Sequence, residues 1–354
     1  MNTIGERIKA GRARAGLSLR ELAARAAVSH TAISKYERGL DVPSSDVLLR
    51  LAQSLDLRIE YFLRPVEVAV ELPRYRKLST LSAKEEVMVL AQVQDQIERQ
   101  LIAESLVPDD QPIYTPPELG PGPWGLEDME SAAVSLRTAW NLGLDPINDL
   151  TWLLESRGIK VVLVKASSKF DACTFWANGS IPVVAVRNDV PGDRQRLSLA
   201  HELAHLVLGL ESDAAGEKAA YRFAGAFLVP RNMVESELGK KRANISLLEL
   251  ERLKQKWGLS MAGWLRRAAD LGVISNRQHV LYMKRFRREH WHLKEPGDEY
   301  PREYPRGLEQ LVSRALAEDL ISAGRAGELL GRPIDRSELE AGVSDRSPTE
   351  ALCP

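Results

Sequence analysis

Apolar positions recur along the chain in short helical runs separated by turn signals. In LSLRELAARAAVSHTAISKYERG, residues 17–39, Leu19, Leu22 and Ala23 space one helix face. Ser29 is placed to cap a second helix and Gly39 to end it. On that second helix Ile33 and Tyr36 point inward, while His30, Thr31, Ser34, Lys35 and Arg38 point outward. Residues 82–106 predict one long helix, opened by a capping box of Ser82 and Glu85, with Val87, Leu90, Ile97 and Leu101 near one stripe. That helix could pair with its twin in a second copy, or pack against its own peptidase domain. The following VPDDQPIYTPPELGPGPWG is rich in proline and glycine and reads as a linker.

From about Leu126 two helical segments lead to Gly158, which sits where a helix C-cap glycine belongs. Residues 159–166, 172–177 and 181–187 then predict strands, the last two joined at Asn178-Gly179, a hairpin signal because a tight turn needs positive φ. LAHELAHLVLG, 199–209, follows, and the pattern stays helical to about 275. Residues 284–306 are basic, aromatic and proline-containing and read as a solvated linker, although Lys284, Arg285, Arg287, Arg288 and Trp291 could touch DNA. His290 and His292 are too isolated for a metal site. Two short helices are expected over 307–331. The stretch 320–339 has the flavour of a second helix-turn-helix without a polar reading face. The chain carries no internal repeat.

Composition sharpens this only locally. The 354 residues carry 48 Lys+Arg against 49 Asp+Glu, so partners have to be read by segment. Residues 1–64 hold eleven Lys/Arg against seven Asp/Glu, a net of +4, a modest attraction for phosphates. A short helix exposing polar and basic side chains near its N-terminus suits the major groove of an operator in double-stranded DNA, with Ser29, His30, Thr31, Ser34, Lys35 and Arg38 as the contact set. The alternative is a helical bundle that binds only protein. No apolar run is long enough to span a bilayer and the N-terminus lacks the core of a secretion signal, so no membrane partner is expected. Two distant cysteines, Cys173 and Cys353, allow no disulfide framework, and a cytoplasmic location is expected.

The ionisable groups inside LAHELAHLVLG carry the second chemistry. Residues four apart on a helix point the same way, so His201 and His205 can bind one Zn²⁺, with Glu202 on the adjacent edge to act on a water. This is the H-E-x-x-H pattern of zinc hydrolases. A third ligand is needed; Glu211, Asp213 and Glu217 are candidates. Glu217 opens a new helix, EKAAYRFAGAFLVP, with a stripe of Ala220, Phe223, Ala224 and Phe227 that could fold back on the first, whereas Glu211 and Asp213 lie in the joining loop. Tyr221, one turn after Glu217, could steady an oxyanion in catalysis or simply pack. A buried His-Glu-His set without a cation would be costly.

IGERIKAGRARAGLSLRELA, VSHTAISKYERG and VPSSDVLLRLAQSL resemble the Cro/phage-repressor (XRE) helix-turn-helix family over about the first 62 residues. Two departures stand out. Ala27 occupies the turn position where the family often has Gly, and Leu19 replaces a glutamine usual at the start of the helix, removing one phosphate contact. RNDVPGDRQRLSLAHELAHLVLG, GEKAAYRFAGAFLVP and the later KQKWGLSMAGWLRRAADLGVIS resemble the ImmA/IrrE metallopeptidases. The resemblance covers roughly 1–65 and 127–290 and is that of an XRE regulator fused to such a peptidase domain. It implies a bacterial or phage regulator, His201 and His205 as histidine ligands, Glu202 as general base and Glu217 as the third ligand. Family peptidases cut helix-turn-helix repressors. At Tyr221 the family usually has Asn or His.

The expected fold is mainly α and multidomain: an all-α helix-turn-helix bundle (1–65), a linker with the long helix (66–126), an α+β zincin-like peptidase domain with a small sheet (127–290), a helical C-terminal extension (291–345) and a disordered tail (346–354). The expected function is a DNA-binding transcriptional regulator with a zinc-dependent endopeptidase acting on a repressor, an antitoxin or its own chain, and a homodimer could form. The competing expectation is a transcription factor whose metal domain only senses or holds a ligand. An unfolded substrate segment could add as a strand beside the metal, along 172–178.

Overall fold

The computed structural model describes residues 4–64, 69–71, 81–109, 111–120, 122, 124–211 and 213–334. In chain order its helices begin with α1 (Ile4–Arg14), α2 (Leu19–Arg25), α3 (His30–Glu37), α4 (Ser45–Leu55) and α5 (Ala83–Leu106). There follow α6 (Met129–Ala139), α7 (Leu150–Ser156), α8 (Gly192–Leu208), α9 (Ala214–Leu228) and α10 (Arg231–Leu238). The last are α11 (Leu247–Trp257), α12 (Met261–Asp270), α13 (Asn276–Arg288), α14 (Gly307–Ala317) and α15 (Ala323–Leu330). The strands are β1 (Val70–Glu71), β2 (Lys160–Val164), β3 (Ala172–Ala177) and β4 (Ile181–Arg187). The fold is thus mainly α with one small sheet. The expected disordered tail at 346–354 lies outside the described residues. Among the described residues no helix is long and apolar enough to cross a membrane.

The chain divides into two compact units. Unit 1 gathers three stretches far apart in sequence: 1–69, 83–111 and 306–354. Its N-terminal core is Ile8, Leu22, Ala23, Ile33, Leu51, Leu55 and Phe62. Helix α5 belongs to unit 1 and packs on its helices, not on the expected peptidase domain, and its expected stripe holds only in part, at Ile97. Val89, Val93 and Ile97 are buried, whereas Val87 is exposed. The face turns because α5 also buries polar groups against its neighbours. Arg7 reaches Glu98 at 2.6 Å, and Asp95 accepts Arg64 and Arg99 at 3.1 Å each and Arg14 at 3.3 Å. Arg7 and Arg64 also lie against the Tyr61 ring, whose phenol burial pushes up to about 12. Further along, Ala103 packs with Val312 of α14 and Ala326 and Leu329 of α15.

Unit 2 holds 70–82 and 112–305. Its sheet runs β1-β3-β4-β2, with β2 parallel to β4 and the other pairs antiparallel. Asn178 (φ 50°) and Gly179 (φ 71°) turn β3 into β4, as the dipeptide predicted. Gly158, at φ 75°, follows the end of α7 in the same left-handed region. Helix α8 packs on β3 and β4 and against α9, whose stripe Ala220, Phe223, Ala224 and Phe227 is fully buried. The segment after α13 is no solvated linker. Arg285 and Phe286 pack on Trp291. The buried Glu303 carboxylate accepts the Thr151 amide at 2.8 Å and pairs with the buried Arg196.

Candidate functional sites

The helix-turn-helix is built by local signals. Ser18 and Glu21 form a capping box at the start of α2, and the Ser29 hydroxyl accepts the Ala32 amide at 3.1 Å to start α3. Ile33 is buried beneath α3. Ser29, His30, Thr31, Lys35 and Arg38 are exposed and Ser34 half-exposed, so the candidate reading set lies on the open side. Ser29 is committed to its cap, and Arg38 donates back to the Ser34 carbonyl at 3.1 Å. On the other side Arg12 grips both oxygens of Glu37, at 2.6 and 2.9 Å, so the one acidic side chain of α3 is neutralised. Leu19, the departure from the family pattern, packs against the core. Ala27 stands at φ 53° in the turn, so this alanine bears the left-handed cost that a glycine would avoid.

The second site lies in unit 2, where α8 turns back into α9. Gly209, at φ 62°, caps α8 and donates to the His205 carbonyl. Asp213 then caps α9 by accepting the Gly216 amide at 2.7 Å. That occupies Asp213 and leaves Glu217 on the first turn of α9, facing α8. His201 Nε2 lies 3.3 Å from His205 Nε2 and 3.3 Å from Glu217 Oε2, and His205 Nε2 lies 3.3 Å from Glu217 Oε1. Among the described residues this is the only group of three His, Cys, Asp or Glu that could hold a metal ion. Glu211 is exposed and outside it, and the His290–His292 pair gains no third ligand.

The donor set fits a cation. Two ligands about 2 Å from a tetrahedral ion stand roughly 3.3 Å apart, the separation found between the two ring nitrogens. His205 Nδ1–H can donate to the Leu210 carbonyl at 2.9 Å, a bond that leaves Nε2 bare and turned to the cluster. Glu202 is buried beside the group and receives a hydrogen bond from the Thr174 hydroxyl at 3.0 Å. Tyr221 is exposed, its ring tilted over His201 with centroids 4.2 Å apart.

Thr174 is the residue that sequence reasoning missed. It sits in ACTFWA with nothing local to distinguish it; only the packing of α8 on β3 brings it to Glu202. A second missed constellation holds α6, α9 and α12 together. Glu130 accepts Arg222 at 2.9 Å and Arg267 at 2.5 and 3.0 Å, and Asp270 accepts Arg222 at 3.1 Å. Burial pushes the Glu130 carboxyl up, but the two arginines more than offset this and hold it below the usual carboxylate value.

A capped helix pair with a polar outer face and a convergent His-His-Glu group beside a buried glutamate define two modules: a DNA-binding head and a metallopeptidase-like domain. Family models place both. Residues 8–62 match the helix-turn-helix family and residues 154–268 match the IrrE N-terminal-like domain, a peptidase family. The chain is a fusion of an XRE-type helix-turn-helix with an IrrE/ImmA-like domain. Neither a curated protein nor a solved structure matches the chain at the significance threshold.

Proposed function

We propose that this protein is a transcriptional regulator that binds an operator through α3 and hydrolyses a peptide bond in a regulatory protein, a repressor or an antitoxin, with zinc held by His201, His205 and Glu217. The observation that carries the reading is the convergence of those three side chains next to a buried glutamate already oriented by a hydroxyl. Bound zinc would supply acidity to a water and polarise the scissile carbonyl. Glu202 takes the proton of the attacking water as oxygen bonds to the carbonyl carbon. It then delivers that proton to the leaving nitrogen as the C–N bond breaks. Thr174 holds Glu202 at the angle for both transfers. Tyr221, beside His201, is placed to steady the oxyanion. A regulator that binds DNA in this way would act in the cytoplasm.

The test is Glu202→Gln in the full chain. Co-expression with the products of neighbouring genes, read by intact-protein mass spectrometry, should show a cut that the substitution slows at least about a hundredfold. Zinc content, near one per chain, and operator binding should not change. A protein that refuses zinc, or a cut indifferent to Glu202, would defeat the peptidase reading. A protein that binds zinc and DNA yet cuts nothing would favour a sensor.

A further inference from the structure

Beside the metal group a cleft of about 830 Å³ opens between α9 and α12. It starts at Tyr221, whose tilted ring also touches His201, so a chain held at the metal group has this cleft as its next neighbour. From α9 come Lys218, Tyr221, Arg222 and Gly225, spaced along one helix face. Gly225 lets α12 approach, since a Cβ there would lie 2.7 Å from Arg267 Cδ. Leu197 and Leu259 give the lining an apolar part.

Its charge is one-sided. Lys218, Arg222, Arg266 and Arg267 line the cleft with Asp270 as the one acidic lining residue. Arg222 and Arg267 share Glu130, and Arg266 spends its charge on Asp270 at 3.0 Å. Lys218 is exposed on the α9 side, and among the described residues no carboxylate pairs with it. An apolar cleft with a cationic excess favours an anionic group joined to an apolar stem.

We infer that this cleft is a substrate subsite that receives an Asp or Glu side chain of the peptide next to the bond to be cut, with Lys218 as the specificity-determining residue and Arg266 supporting it. The inference rests on the peptidase reading for its biological meaning, but its test reads binding and not cleavage. Full-length Glu202→Gln protein is immobilised and offered a synthetic pool of acetylated, amidated hexapeptides containing every residue at every position. Retained peptides are sequenced by mass spectrometry. Asp and Glu should be enriched about fivefold over Asn and Gln at one position. Lys218→Glu should erase that preference and turn it toward Lys and Arg, and Arg266→Gln should weaken it. Both sites are exposed, so an unchanged melting temperature certifies the fold. Equal retention of acids and amides, no retention at all, or a preference untouched by Lys218→Glu overturns the subsite. Absence of a Glu202-dependent cut in the separate cleavage assay strikes the peptidase reading alone.

Discussion

Ala27 is the clearest case of one residue working against its backbone. At φ 53° and exposed to solvent, it carries a left-handed penalty. Ala27→Gly should therefore raise the stability of unit 1 by about 1 kcal/mol in denaturant titration, leaving operator affinity unchanged. Thr174 is the opposite case, one hydroxyl aimed at one carboxylate. Thr174→Val keeps the shape and removes the donor. Turnover should fall roughly tenfold while zinc content and substrate KM hold; Thr174→Ser should recover most of it. Lys35, exposed on α3, should contribute a phosphate contact. Lys35→Ala would weaken operator binding and lower the slope of log affinity against log salt by about one.

At the scale of elements, what was legible in the sequence is what repeats within a few residues. Two histidines four apart, the caps at Ser18 and Ser29, and the Asn178-Gly179 turn all state their geometry locally. Glu217 is favoured over Glu211 and Asp213 because it opens the next helix while they lie in the joining loop, the family resemblance agrees, and the use of Asp213 as a cap leaves Glu217 to face the histidines. Thr174, and the Glu130–Arg222–Arg267 clasp over up to 137 residues, have no local mark, because their partners are set by packing. That clasp predicts a pH signature. The Glu130 carboxyl is held below 4.5 in the folded protein, so its contribution is complete above the unfolded value and is lost as pH falls through the depressed one. Glu130→Gln should cost about 2 kcal/mol at pH 7. The gap in melting temperature from wild type should close as pH falls through that depressed value. A gap that stays constant would mean the carboxylate is not what holds the three helices.

On the scale of the whole molecule, the sequence reads as beads in a row, and the two units are not so ordered. The stripe on α5 misleads because periodicity assumes one apolar face. Here the helix instead buries Asp95, Glu98 and Arg99 among charges from α1 and from the end of the N-terminal bundle. The C-terminal helices complete that arrangement: Arg64 meets Glu328 at 3.4 Å, and Arg99 donates to the Leu329 carbonyl at 3.1 Å. Truncation after Pro305 should thus lower the melting transition of the DNA-binding unit by at least about 10 °C, while zinc loading, which the proposed site assigns to unit 2, is retained.

Because the helix-turn-helix bundle and α5 are clasped through buried charges, the backbone joining Arg64 to Leu81 is not what keeps them together. A nick there would leave both fragments in one particle under native conditions. Gel filtration would report an intact regulator, and only detergent or urea would set the pieces apart. A cut in that stretch would be silent in every assay that preserves the fold.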